Sequence, residues 1–241
     1  MLPAFLADQT LSAATAVVID VLRASSTMIH ALGNGADAVI PCLTVESARE
    51  AAREIPAAQR LSGGERHGTL IPGFDLGNSP LEYTPERVRG KTILFTTTNG
   101  TRALMECRTA DAVVVGAFVN RHAVVSMLRQ RHQDVHLVCA GTDGQLTAED
   151  ILFAGAVASD LLETTDGTWN PGNIQTQMGV DYYRARSQTP ERFREAFFGS
   201  LGAKNLIHLG MTADIERCQQ ENLFPCVPYW NHQTGCVTIS H

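Results

Sequence analysis

The chain has 241 residues, 44% of them hydrophobic and 18% charged, with 19 Lys+Arg against 25 Asp+Glu and a net charge of −6. That is enough to bury a proper core as a single α/β domain over residues 1–241, and the composition excludes disorder and collagen-like repeats. No dense basic patch and no apolar run of roughly 18–20 residues is present, which excludes nucleic acid and membrane as partners and leaves a small ligand.

Met1 to Thr10 lacks the basic start of a signal peptide, so a cytoplasmic protein is expected. Ala16 to Val21 reads as a buried strand leading into a helix from about Ala24 to Leu32. A second strand covers Ala36 to Cys42, and Val45 to Ile55 carries helical spacing with Thr44 as the N-cap candidate. Leu61 to Pro85, with glycines at 63, 64, 68, 73 and 77 and prolines at 72, 80 and 85, reads as one long functional loop. Further strands follow at Lys91–Thr96, Ala112–Val115 and Val135–Ala140, with helices near Thr101–Cys107, Arg121–Arg131 and Glu149–Glu163. Thr164 to Pro190 is polar, a connection with one helix. Phe224 to Ser240 suggests a short hairpin at a sheet edge. Apolar strands alternating with helices predict a mainly parallel or mixed sheet covered on both faces. The six cysteines form no C-x-x-C pair and are expected as reduced thiols; a bridge between Cys226 and Cys236 across the hairpin is the alternative.

Three segments run from an apolar strand into a polar turn that opens a helix: Val17–Thr27, Ile93–Leu104 and His136–Asp150. In a parallel sheet such turns gather at one edge, where helix N-termini favour anions. In the first, Asp20 is a hard-metal ligand or a helix cap, Arg23 is a phosphate clamp or an ion-pair partner, and Ser25 and Ser26 add hydroxyls. In the second, Thr97, Thr98, Asn99, Gly100 and Thr101 form an anion cradle or a plain N-cap, beside Arg102. In the third, Gly141 precedes Thr147-x-x-Asp150, which fits a capping box; Glu149 and Asp150 are alternatively metal ligands. The loop adds Glu65 as ligand or general base, Arg66, His67, Asn78 and Ser79. His132 and His136 pass from helix end to strand and lack the shared helix face of a metal site.

The P-loop, dinucleotide-binding and serine-hydrolase signatures are absent. Dehalogenase-type phosphatases need a second aspartate where Leu22 stands. The blocks IDVLRASST (19–27), SGGERHG (62–68), GFDLGNSP (73–80), TTTNGT (96–101) and AGTDGQLTAEDILFAG (140–155) together resemble the 2-phosphosulfolactate phosphatase family. Serines 25 and 26 stand where threonine is often expected, and residues beyond about 165 add little to the match.

The resemblance implies a three-layer α/β/α sandwich and a Mg²⁺-dependent phosphatase that releases phosphate from 2-phospho-3-sulfolactate, a step of coenzyme M biosynthesis. On that reading Asp20, Glu65, Glu149 and Asp150 supply the metal's oxygen ligands, and Asp20, Arg23 and Glu65 carry the catalysis. Ser25, Ser26 and the 97–101 turn cradle phosphate. Arg66, His67 or Arg102 meets the sulfonate and carboxylate, with Asn78, Ser79 and Gly141 completing the substrate site. Direct attack by water and a phosphorylated Asp20 both stay open. The alternatives are a metal-dependent enzyme on another small organophosphate and a non-catalytic sensor of a phosphorylated metabolite; homo-oligomerisation is left open.

Overall fold

The computed structural model describes residues 1–2, 11–164 and 167–239. Most of the leader reading (residues 3–10), Thr165 and Ser240 lie outside them. The chain order is β1 (Ala14–Ile19), α1 (Ala24–Gly33), β2 (Ala38–Pro41), α2 (Val45–Arg53), β3 (Arg60–Arg66), β4 (Thr69–Leu70), α3 (Pro85–Val88), β5 (Thr92–Thr96), α4 (Gly100–Glu106) and β6 (Ala112–Gly116). It continues with α5 (Arg121–Arg131), β7 (Asp134–Cys139), α6 (Ala148–Leu162), α7 (Ile174–Arg186), α8 (Pro190–Phe198), α9 (Leu201–His208), α10 (Thr212–Cys218), β8 (Pro228–Asn231) and β9 (Cys236–Ile239). No helix among the described residues is long and apolar enough to cross a membrane.

The nine strands form one sheet in the order β4-β3-β5-β2-β9-β8-β6-β1-β7. Its alternate faces are both apolar, which is why it needs two covering layers. One face carries Ala16, Val18, Val39, Ile93, Phe95, Val113 and Val237 against α1, α3 and α4. On the other face, Val17, Ile19, Val114 and Cys139 pack against α5, α6 and α8–α10, while α2 covers Leu94 at the far end. The result is an α/β/α sandwich. Thr44 caps α2, its Oγ1 accepting Ser47 N–H at 3.0 Å.

Three expectations change. The C-terminal hairpin is central: β9 pairs antiparallel with β2 and β8 with β6. It joins a β3-β5-β2 parallel block to a β6-β1-β7 parallel block. Three antiparallel pairings separate the blocks, so they run in opposite senses and no single carboxyl edge exists. Strand twist of about 20–25° per pairing accumulates to about 100–125° over the five steps from β5 to β1. The ends of those two strands meet nonetheless, with Gly100 against Ala24 and Asp20.

The supposed long loop begins with strand β3, in parallel register with β5 from Arg60↔Thr92 to Gly64↔Thr96. Its glycines are a packing requirement. A Cβ on Gly64, which has φ +136°, would sit 1.9 Å from Thr96 O, and one on Gly63 would sit 2.2 Å from the Tyr83 hydroxyl. Within 164–190 the one expected helix is α7, and α8–α10 follow in a stretch to which the sequence reading assigned no element. All six cysteines are free thiols.

Candidate active site

The turn after β1 is built around Asp20, which is 8% exposed. Its Oδ1 accepts the Ala24 N–H at 3.2 Å and so closes the first turn of α1. Oδ2 lies beside Gly100: a Cβ there would stand 2.7 Å from that oxygen and 2.5 Å from Ala24 Cβ. Only glycine lets the β5–α4 turn come this close. Ser25, Ser26 and Thr27 are wholly buried and turn their hydroxyls to the backbone, Ser25 and Ser26 donating to Val18 O and Val21 O and Thr27 to Asn78 O. Their role in this structure is to seat a helix with no solvent face.

Arg23 is 3% exposed. Its Nη1 donates to Asp214 Oδ2 at 2.5 Å and to Met211 Sδ, and its Nη2 donates to Gly68 O at 2.9 Å. A guanidinium has five N–H groups. Nε–H and one Nη2–H therefore have no partner among the described residues.

Glu65, at the end of β3, organises the second turn. Its Oε1 accepts Thr98 N–H and Thr98 Oγ1–H at 2.8 and 3.0 Å, and its Oε2 accepts Gly68 N–H at 2.7 Å. Thr97 and Thr101 bond to each other across the start of α4, Thr97 Oγ1 accepting Thr101 N–H and Thr101 Oγ1 donating to Thr97 O, while Asn99 at the N-cap position makes no side-chain cap. Arg66 points away, along the strands, to Thr96 Oγ1 and the Glu65 carbonyl. Ser79 donates to Asp214 Oδ1 at 2.6 Å.

The third turn joins the first through Asp150, whose Oδ1 accepts Val21 N–H at 2.9 Å and Oδ2 Gly141 N–H at 3.1 Å. The expected capping box does not form. Thr147 occupies the N-cap position without a side-chain cap on the helix backbone, and Asp150 bridges two strand ends. Glu149 is 2% exposed and its Oε2 has no hydrogen-bond partner. It lies behind Gly202, where a Cβ would meet its Oε1 at 2.3 Å.

Above these turns is a cavity of about 380 Å³. It brings together Asp20, Arg23, Glu65, His67, Asn78, Thr97, Thr98, Asn99 and Gly141. Ser25, Ser26, Arg66, Ser79, Gly100, Thr101, Arg102, Glu149 and Asp150 are not on its wall. The sequence reading missed the opposite wall, Gly202, Asn205, Leu206, His208 and Leu209 of α9 and its exit, together with Asp143 on the third turn. α9 carries no motif that would single it out; only its helical spacing was available.

Burial raises the Asp20 carboxyl to about 7, with Glu65 and Glu149 adding repulsion and the Ala24 N–H and Arg23 opposing it. Burial also raises Glu149, against the pull of nearby N–H and hydroxyl groups. Asp150 is raised well above the usual carboxylate range by burial and then by Glu149 and Asp20. These are carboxylates pressed together with one guanidinium near them, itself paired to Asp214. Among the described residues no three His, Cys, Asp or Glu side chains form a ready metal cage. Mg²⁺ does not need one: it normally takes one or two carboxylates and completes its shell with water and phosphate. Asp20 on the cavity wall offers such an oxygen, and the orphaned Oε2 of Glu149, off the wall, leaves uncompensated negative charge behind it.

Residues 2–233 match the family described as 2-phosphosulpholactate phosphatase. Three relatives carry the name probable 2-phosphosulfolactate phosphatase. That of Symbiobacterium thermophilum is 42% identical over 91% of this chain and 92% of its own. That of Thermotoga petrophila is 43% identical over 89% and 88%, and that of Clostridium beijerinckii 37% identical over 92% and 90%.

Proposed function

The chain belongs to the 2-phosphosulpholactate phosphatase family, and from that premise we propose that it is a phosphatase hydrolysing 2-phospho-3-sulfolactate to 3-sulfolactate and phosphate, a coenzyme M-type biosynthetic step. The observation that carries the reading is one cavity that gathers Asp20 and Arg23, the 97–99 turn and Gly141 from three distant parts of the chain.

The two uncommitted N–H groups of Arg23 meet the phosphoryl oxygens, as a guanidinium fork suits phosphate. Thr97 and Asn99 add donors at the start of α4, where the helix end favours negative charge. Glu65 holds Thr98 by both its N–H and its hydroxyl, so the cradle is fixed before substrate arrives. Preorganised donors of this kind need no rearrangement as charge shifts onto the departing oxygen. His67, Asn205 and His208 on the cavity wall face the rest of the anion.

Asp20, on the cavity wall, would hold Mg²⁺, with Glu149 adding negative charge behind it. When bound, the ion supplies charge neutralisation to the phosphoryl oxygens and the leaving group. The substrate is strongly anionic and the surrounding carboxylates repel one another, so a divalent cation answers both charges at once.

Phosphate release from 2-phospho-3-sulfolactate is the test, run with Mg²⁺ and with a chelator, beside a generic aryl phosphate. Turnover that needs Mg²⁺ and favours the sulfonated substrate is expected. A protein that binds this compound without releasing phosphate would end the proposal.

A further inference from the structure

We propose that Asp214, on α10, is a positioning residue that aims the Arg23 guanidinium at the phosphate and keeps it off Asp20; the inference rests on the function proposed above. Asp214 lies 191 positions from Arg23 in the chain, in the segment with the least motif content. The two side chains are 5% and 2% exposed and meet at 2.5 Å. Both carboxylate oxygens are engaged, Oδ2 by Arg23 and Oδ1 by the Ser79 hydroxyl at 2.6 Å. The carboxylate is therefore locked, and it locks the guanidinium with the help of Gly68 O.

Charge explains why such a lock is needed. Arg23 shares its cavity with Asp20 and Glu65, and Glu149 and Asp150 lie close behind. A buried guanidinium without a partner is strongly disfavoured, so a released Arg23 would turn to Asp20, whose charge it already feels across the cavity. That contact would withdraw both groups from the phosphoryl site together. Pairing Arg23 outward, to α10, leaves its remaining N–H groups and Asp20 available side by side. Ser79 extends the device: through Asp214 it joins the 77–82 turn, α1 and α10 around one arginine.

The test is a double-mutant cycle on the full chain, because residues that act through one another are non-additive. Wild type, D214N, R23A and R23A/D214N are compared for kcat/KM on 2-phospho-3-sulfolactate and for inorganic phosphate Kd by calorimetry. D214N is expected to lower kcat/KM by about 10–100-fold and to weaken phosphate binding by about 10-fold. In the R23A background it should change either quantity by less than about twofold. Equal losses in both backgrounds, or no loss in either, overturn the inference. A wild-type protein with no turnover would reject the proposed reaction, and the phosphate Kd cycle would still judge Asp214. Should D214N not fold, S79A takes its place, with a loss of about threefold expected only where Arg23 is present.

Discussion

Asp20 caps the first turn of α1 with one oxygen while the other stands against Gly100 at the cavity. Asp20→Asn keeps an acceptor for the Ala24 N–H and removes the charge. We expect phosphate release to fall at least about 100-fold, with the circular dichroism spectrum unchanged; near-normal turnover would remove Asp20 from the reaction. His30 shows the opposite use of a buried polar group. Its Nδ1 faces Ser26 O at 2.8 Å and its Nε2 accepts from Arg217 Nε at 2.8 Å, which fixes a neutral ring. Burial lowers it from 6.5 to about 4, with the Ser26 bond opposing and Arg217 adding to the fall. A lowered histidine contributes stability that is complete above 6.5 and lost as pH falls toward about 4, because the unfolded chain takes the proton first. The loss is on the order of 3 kcal/mol. Denaturant melts between pH 7 and 4 should show that acid-dependent part in wild type and not in His30→Leu; identical slopes would contradict it.

The element scale separates what a linear sequence reveals from what it hides. The β1–α1, β5–α4 and β7–α6 turns were legible because strand period, polar turn and helix start are all local signals. The central place of the hairpin was not, since the partners of β8 and β9 lie more than 100 residues away. β3 was hidden for a different reason: Gly63 and Gly64 read as loop, yet they exist to admit Tyr83 and the Thr96 carbonyl. Asp214 escaped notice because a lone aspartate in an amphipathic helix says nothing until Arg23 and Ser79 are placed beside it. A central hairpin makes a sharp prediction. Val237 is fully buried, pairs with Val39 on β2 and Trp230 on β8, and belongs to the core beneath α1. Val237→Asp buries a carboxylate with no partner and should cost at least about 3 kcal/mol. At this chain length that lowers Tm by about 6–12 °C. A drop of only a degree or two would mean that the hairpin is a dispensable trim on the sheet.

Over the whole molecule, the site is where stability and function conflict. Folding forces Asp20, Glu149 and Asp150 together at 8%, 2% and 3% exposure, and the N–H groups of Ala24, Val21 and Gly141 and the Arg23 guanidinium, itself paired to Asp214, offset only part of that repulsion. A chain already at net charge −6 gains nothing by burying more acid unless a cation joins it. A ligand that binds only the folded state stabilises it by RT ln(1 + [L]/Kd), about 2.7 kcal/mol at a hundredfold excess over Kd. Mg²⁺ should therefore raise the Tm of chelator-treated protein by about 5–10 °C. In Asp20→Asn the same titration should give a much smaller shift, because one ligand and its part of the repulsion are gone, while the metal-free variant should be no less stable than metal-free wild type. Equal shifts in the two proteins would place the ion elsewhere. No shift in wild type would leave the buried carboxylates without the counter-charge that their position requires, and the reading of this site as a metal-assisted phosphatase would fall with it.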